Sequence, residues 1–301
     1  MEKLILEIKN LEKRFGDKEV LKGLSLSVPQ GSIFGFVGLN GAGKTTTMKA
    51  ILGMLKTDGG EIFVDGERVV FGETATNRVV GYLPDVPNYY RFLTAKEYLV
   101  LCGETLGMGK KESIERAEEL LMLVGLSEET HRIKGFSRGM KQRLGIAQAL
   151  FGRPKLLICD EPTSALDPIG RKEILDILLS VKNETTVLFS THILSDVERI
   201  CTDVALLNNG IIAVQGTVND LKKSRSFDAF SLELSDAESA DKLVAQFDTA
   251  KRGEGNTVVF SGGDTLLFSV MEFLTKEKIA PRKIEKIEPT IEGLFVEVTA
   301  K

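Results

Sequence analysis

The sequence predicts an α/β fold with a parallel sheet, and three observations carry that assignment. The run from Ser32 to Val37 is apolar and closes on Gly38, and from Lys44 the positions Met48, Ile51, Leu52 and Leu55 follow helical spacing. This reads as strand, glycine-rich loop, helix. Two further apolar runs, Leu156 to Cys159 and Thr186 to Phe189, end in polar residues and lead into helix-like segments, as buried parallel strands with crossover helices do. From about Leu93 to Leu150 the strand signal stops, and Ile114, Ala117, Leu120, Leu121 and Val124 mark an amphipathic helix. A helical subdomain over about 86–150 is therefore expected.

A chain of 301 residues, 43% hydrophobic and 27% charged, suffices for one large core and an appendage. Asp203 to Gln215 alternates around Asn208, Asn209 and Gly210, a hairpin signal that adds an antiparallel β element. The polar stretch Lys222 to Asp228 reads as a linker, which gives domains over 1–224 and 225–301. In the second, Phe230–Leu234, Thr257–Phe260 and Lys283–Ile287 read as strands, and Ala237–Phe247 and Leu266–Lys276 as helices. That pattern predicts a small C-terminal α+β domain, and it carries no chemical motif.

Composition narrows the function. A formal charge of -4 gives no electrostatic footprint for nucleic acid, and the densest basic cluster, Lys222, Lys223 and Arg225, is small. No nucleic-acid partner is expected. The N-terminus offers only Leu4 to Leu6 before Glu7, and no stretch is long enough to span a bilayer. A cytosolic location follows as the expectation. Cys102, Cys159 and Cys201 are widely spaced, so reduced, mostly buried thiols are expected rather than disulfides or a zinc site.

The chemistry begins at Gly38, Leu39, Asn40, Gly41, Ala42, Gly43, Lys44 and Thr45, followed by Thr46. These match the phosphate-binding loop in its required place between strand and helix. Glycines let successive N–H groups curl around phosphates, Lys44 reaches the β and γ phosphates, and Thr45 offers its hydroxyl to Mg²⁺. This is the core of a phosphate-loop NTPase. Asp160 and Glu161 end the Leu156 strand, at the edge of the sheet where ligands bind in open α/β folds. Asp160 is placed for the Mg²⁺ hydration shell, and Glu161 is the candidate general base.

Phe136, Ser137, Arg138, Gly139, Met140, Lys141, Gln142 and Arg143 resemble the LSGGQ motif of the ATP-binding cassette family. With the phosphate loop before it and Asp160 after it, the resemblance covers roughly residues 4–220. It implies that Ser137, Arg138, Gly139 and Met140 face a γ-phosphate held by a second subunit, Ser137 capping a helix whose N-terminal dipole points at it. It also implies that Ser164, Ala165, Leu166 and Asp167 form the D-loop, that His192 is the switch histidine, and that Phe15 stacks on adenine in place of the usual tyrosine. Asp85 stands where the family carries a glutamine; aspartate has the chemistry of a metal ligand and also repels Glu161. The apolar string Val86, Pro87, Tyr89, Tyr90, Phe92 and Leu93 is a candidate docking surface for a permease coupling helix; the alternative is that most of these residues pack the helical subdomain.

The resemblance implies an ATPase using ATP and Mg²⁺, dimerising around two ATP, a homodimer before a heterodimer, and driving a separate transmembrane permease from the inner face of the cell membrane. The single cassette and the tail ending Glu288, Pro289, Thr290, Ile291, Glu292, Gly293, Leu294 and Phe295 look like exporter subunits of the drug-resistance and sodium-efflux type. An importer subunit, a cassette ATPase acting on ribosomes or DNA, and a phosphate-loop kinase are the alternatives. The absence of a second cassette or long coiled-coil insertion weighs against the second, and the Ser137 motif and His192 against the third.

Overall fold

The structure is a computed structural model that describes residues 3–73, 75–223, 229–287 and 290–299. Two long strands, β1 (Leu4–Phe15) and β2 (Lys18–Pro29), precede β3 (Ile33–Gly38), α1 (Lys44–Ile51), β4 (Gly59–Val64), β5 (Glu67–Arg68) and β6 (Val80–Leu83). The helical insertion follows as α2 (Ala95–Thr105), α3 (Lys110–Leu123) and α4 (Arg138–Leu150). The chain then returns to the sheet through β7 (Leu156–Asp160), α5 (Pro168–Ser180), β8 (Thr186–Thr191), α6 (Leu194–Ile200), β9 (Asp203–Asn208), β10 (Ile211–Thr217) and α7 (Val218–Lys223). The remainder comprises β11 (Ala229–Glu233), α8 (Ala237–Gln246), β12 (Ala250–Arg252), β13 (Thr257–Ser261), α9 (Asp264–Lys276), β14 (Lys283–Ile287) and α10 (Ile291–Thr299).

One sheet runs β10-β9-β3-β8-β7-β6, parallel throughout except for β10. Its central strands β3, β7 and β8 are buried at every position, which is why they read as continuous apolar runs. Successive side chains still take opposite faces. Leu157, Cys159, Val187 and Phe189 join a core with Leu83, Tyr98, Leu120, Leu144 and Phe151 of the helical insertion. Leu156, Ile158, Leu188, Phe34 and Phe36 join a second core with Met48 of α1 and with Leu6, Leu24 and Val28 of the antiparallel sheet β2-β1-β4-β5. The parallel sheet is thus covered on both faces, and its carboxyl edge is left to the loops.

The insertion is helical for local reasons. Thr94 and Glu97 form a capping box on α2, and Ser137 accepts the Met140 N–H on α4. At the other end of α4, the buried Arg116 of α3 donates to the carbonyls of Leu150 and Phe151, satisfying orphan acceptors where the helix dipole favours a cation. Ala117, Leu120, Leu121 and Val124 are buried as their spacing requires, with Ile114 half-buried. Between β6 and α4 the approach is so close that a Cβ at Gly81 would overlap the Ala149 carbonyl; only glycine fits there.

Contacts divide the chain into two compact units, Met1–Val218 with Phe295–Lys301, and Asn219–Leu294. In the second, β11-α8-β12-β13-α9-β14 form a sheet of order β12-β13-β11-β14, antiparallel throughout, the ferredoxin-like split βαβ arrangement. Phe230 stacks on Phe260 with centroids 4.9 Å apart, over Leu232, Leu243, Val258, Val270 and Leu274. Lys222 and Lys223, expected in a linker, instead end α7, which starts on the buried Val218. Residues 224–228, Arg225 among them, lie outside the described residues, as do Glu288 and Pro289. Cys159 is buried, Cys102 and Cys201 are half-buried, and all three are free.

One surface device ties the two sheets of the first unit. Asp65, in the turn after β4, pairs with Lys155 at 2.5 Å, just ahead of β7, and with Lys3 at 3.3 Å. The Lys155 hydrogen bond chiefly, and then Lys3, hold its carboxyl below the usual carboxylate range against the opposing effect of burial. A carboxyl lowered in the folded state contributes its stability in full above the unfolded value and loses it as pH falls through the folded one. Asn at this left-handed position (φ 48°) keeps the backbone and removes the charge. Asp65→Asn is therefore expected to cost under about 1 kcal/mol at neutral pH, and urea midpoints for the two proteins should converge in acid. A gap that stays constant into the acid range would contradict the ion-pair origin.

Candidate functional site

Three strand ends of the parallel sheet converge. The loop after β3 wraps through Gly41 and Gly43, at φ 83° and 115°, conformations that glycine alone adopts without cost. At Gly43 a Cβ would also lie 2.8 Å from Leu21 Cδ2. Lys44, 6% exposed, folds back so that its Nζ donates to the Gly38 carbonyl at 2.6 Å and the Leu39 carbonyl at 3.3 Å. Its ammonium is thereby held over the loop before any ligand arrives.

From β7, the Asp160 carboxylate accepts the Thr45 hydroxyl at 2.7 Å and the Ser190 hydroxyl at 2.6 Å. Ser190, at the end of β8, in turn accepts the Glu161 N–H at 2.9 Å. Sequence reasoning missed Ser190; a hydroxyl closing an otherwise apolar buried strand is the signal that could have found it. Glu161 has φ 49°, a strained setting for a non-glycine residue that recurs at functional sites. Its Oε2 lies 2.9 Å from His192 Nδ1. Its Oε1 is 3.1 Å from Lys44 Nζ, near enough for ion pairing but not aligned as a hydrogen bond, so this buried oxygen has no hydrogen-bond partner. The structure thus brings together Lys44, Thr45, Asp160, Glu161 and His192. Tyr82, on the neighbouring β6, has its phenol pushed up to about 12 by burial and then by the negative charge of Asp160.

An open cleft of about 210 Å³ runs between Asn40, Gly41, Gly43, Lys44, Thr45, Thr46, Asp85 and Glu161. A second concavity continues along Leu39 to Ala42, Lys18, Val20 and Asn208 to Gly210. Phe15, the candidate adenine platform, is half exposed, with Lys13 Nζ 5.3 Å from its ring centre. The loop cradle, the unsatisfied Glu161 oxygen and the paired Thr45 and Asp160 fit a triphosphate with its metal. Among the described residues no group of three or more His, Cys, Asp or Glu could hold a metal alone. Mg²⁺ takes one or two protein ligands and the rest from phosphates and water, and the paired Thr45 hydroxyl and Asp160 carboxylate have that chemistry.

Ser137, Arg138, Gly139 and Met140 are not walls of that cleft. Ser137 is exposed at the start of α4, while Met140 turns inward against the insertion core. Arg138 lies 3.7 Å from Asp85, and Gln142 Nε2 donates to the Asp85 carbonyl at 2.9 Å. The aspartate at the position of the family's glutamine therefore has a cation beside it. In the candidate D-loop, Ala165 is left-handed (φ 53°), Leu166 packs the core, and Asp167 caps α5 by accepting the Gly170 N–H at 3.1 Å. Ser164 is half-buried beside them.

The apolar string divides. Val86, Tyr90 and Phe92 are exposed, whereas Tyr89 and Leu93 pack the insertion, Tyr89 bonding the Lys141 carbonyl at 2.5 Å. His131 is exposed, edge-on to Phe136 and 3.0 Å from Glu129. No described helix is long and apolar enough to cross a membrane.

A family model described as ABC transporter matches residues 21–164. The chain is 42% identical over 231 residues to the uncharacterized ABC transporter ATP-binding protein YxlF of Bacillus subtilis, covering 76% of this chain and 77% of YxlF. It is 40% identical to the bacitracin transport ATP-binding protein BcrA of Bacillus licheniformis, over 80% and 79% of the two chains. With the linearmycin resistance ATP-binding protein LnrL of Bacillus subtilis the identity is 39%, over 72% and 70%. A solved ATP binding subunit of an ABC transporter superposes with a TM-score of 0.65 at 34% identity, covering 73% of this chain and 92% of the other. Phosphate loop, paired carboxylates and these likenesses agree, and the chain belongs to the ATP-binding proteins of ABC transporters, a family of ATPases.

Proposed function

We propose that this ATPase dimerises around two Mg-ATP, each held between the phosphate loop of one copy and the Ser137 helix of the other, and drives a separate transmembrane permease in export. The observation that carries the shared site is the separation of Ser137 from the cleft: an exposed, capped helix N-terminus, suited to an anion, that lines no wall of its own chain's phosphate site. The relatives named for bacitracin transport and linearmycin resistance favour export. Permease binding would place the chain at the inner face of the membrane, with Val86, Tyr90 and Phe92 as the exposed docking contacts.

In this reading the loop N–H groups and Lys44 take the β and γ phosphates. Thr45 and Asp160 would hold Mg²⁺, whose charge when bound offsets that of the phosphates. Glu161 orients the attacking water and accepts its proton as the new O–P bond forms and the bond to the leaving ADP breaks. His192 fixes the Glu161 carboxylate and reports on the γ-phosphate. Phe15 stacks on adenine, and Ser164 to Asp167 pass between the two sites.

Ser137→Arg tests the shared site. Filling the helix N-terminus should leave ATP binding to the loop within about threefold but remove most phosphate release and the ATP-dependent dimer, a loss of about 100-fold or more in turnover. Phosphate release at the parent rate would exclude Ser137 from the site. Extraction of the tagged chain from membranes should also bring down a polytopic membrane protein; recovery of ribosomes or DNA instead would overturn the transport assignment.

A further inference from the structure

Asp196 is a charged side chain only 3% exposed, in the first turn of α6 and four residues after His192. Its Oδ2 accepts the hydroxyl of Thr163 at 2.7 Å, and its Oδ1 accepts Arg171 Nη2 at 2.6 Å. Thr163 is fully buried and lies two residues after Glu161; Arg171 stands on α5, the helix that Asp167 caps. One carboxylate therefore ties together the three segments that carry Glu161, Asp167 and His192.

A buried carboxylate is costly, and an apolar residue would pack the same space more cheaply. Its pairing here is complete on the two oxygens, and it closes a ring. Going around, Glu161 bonds His192 on the open side, while Thr163 bonds Asp196 on the buried side. Neither Glu161 nor His192 sits inside a regular element: the first is left-handed after β7, and the second lies in the turn between β8 and α6. The paired ends of β7 and β8 bring the two turns side by side, and hydrogen bonds between the turns complete their mutual placement.

We propose that Asp196 is a positioning residue: through Thr163 it fixes the Glu161 loop against the His192 loop, and through Arg171 it makes that placement answer to the D-loop helix. The assignment rests on the reading of Glu161 and His192 as the pair that handles the attacking water.

The test is a double-mutant cycle in kcat, ATP affinity and melting temperature. Asp196→Asn keeps the shape and loses the charge-assisted bond to Arg171. It should lower kcat about tenfold or more with ATP affinity within about twofold, since small misplacements of catalytic groups cost rate before binding. Asp196→Glu should recover much of that loss. In a His192→Ala background the Asp196→Asn change should cost no further kcat, because its effect runs through a bond already gone. A residue that only supports the fold would lower the melting temperature and reduce kcat by the same factor in both backgrounds, and that result overturns the proposal. Should Asp196→Asn fail to fold, Arg171→Met, at a partly exposed site, carries the same cycle with an expected drop of about threefold; parent-like kcat there overturns it equally. Parent rates for Glu161→Gln and His192→Ala themselves would instead refute the site reading, and this assignment with it.

Discussion

Glu161→Gln is expected to bind ATP, hydrolyse it at least about 100-fold more slowly, and accumulate as a nucleotide-bound dimer. The amide matches the carboxylate in shape, so the left-handed turn and the contact to His192 persist. What is lost is the negative charge of a cleft-lining carboxylate whose buried Oε1 has no hydrogen-bond partner and lies 3.1 Å from Lys44. Of the carboxylate oxygens of Asp160 and Glu161 it alone has no hydrogen-bond partner, since both Asp160 oxygens accept hydroxyls and Glu161 Oε2 meets His192. A neutral amide accepts a proton from water far less readily, while the phosphate cradle remains intact. Phosphate release and light scattering in saturating Mg-ATP check the two parts separately. A parent rate removes Glu161 as the base, and a monomeric profile counts against a site shared between copies.

Lys44→Ala should lose nucleotide affinity as well as turnover, each by about 100-fold or more. Nζ is held by two loop carbonyls, so its charge is in place before the phosphates arrive and little order has to be gained on binding. Removing it also leaves Glu161 as a nearly buried carboxylate without its nearest cation, a change that costs stability by itself. The ligand-free variant should therefore unfold at lower urea than the parent, and Glu161→Gln, which leaves the Lys44 ammonium to the Gly38 and Leu39 carbonyls, should lose less. Equilibrium dialysis with ATP, phosphate release and urea melts resolve these effects. Unchanged steady-state hydrolysis would take Lys44 out of the site.

Much of this was legible in the chain because buried parallel strands write themselves as unbroken apolar runs. Ile33–Gly38, Leu156–Asp160 and Thr186–Thr191 were found that way, and each delivers its site residues from its end. The antiparallel sheet was not found. In β1, Asn10 is left-handed and the pairing with β2 shifts at several points, so polar and apolar positions fall out of the strict alternation that would betray a strand. At four residues, β6 is too short to carry a period. The left-handed backbone at Glu161 and Ala165 leaves no trace in residue types that usually avoid it. Ser190 and Asp196 were silent for another reason: a serine ending a strand and an aspartate in a helical first turn have ordinary surface explanations, and only the fold shows both of them buried and bonded inward. The departure at Asp85 read as an isolated one until the fold placed Arg138 3.7 Å from it.

The glycine contact between β6 and α4 bears on how motion would be transmitted. With no room for even a methyl group between strand and helix backbone, the two slide past each other only by breaking that seat, so β6 and α4 form a lever without slack. Residues 84–93 leave one end of it and Ser137 stands at the tip of the other. Bulk added at Gly81 should therefore prise β6 from the end of α4 and shift the Ser137 helix while sparing the phosphate loop.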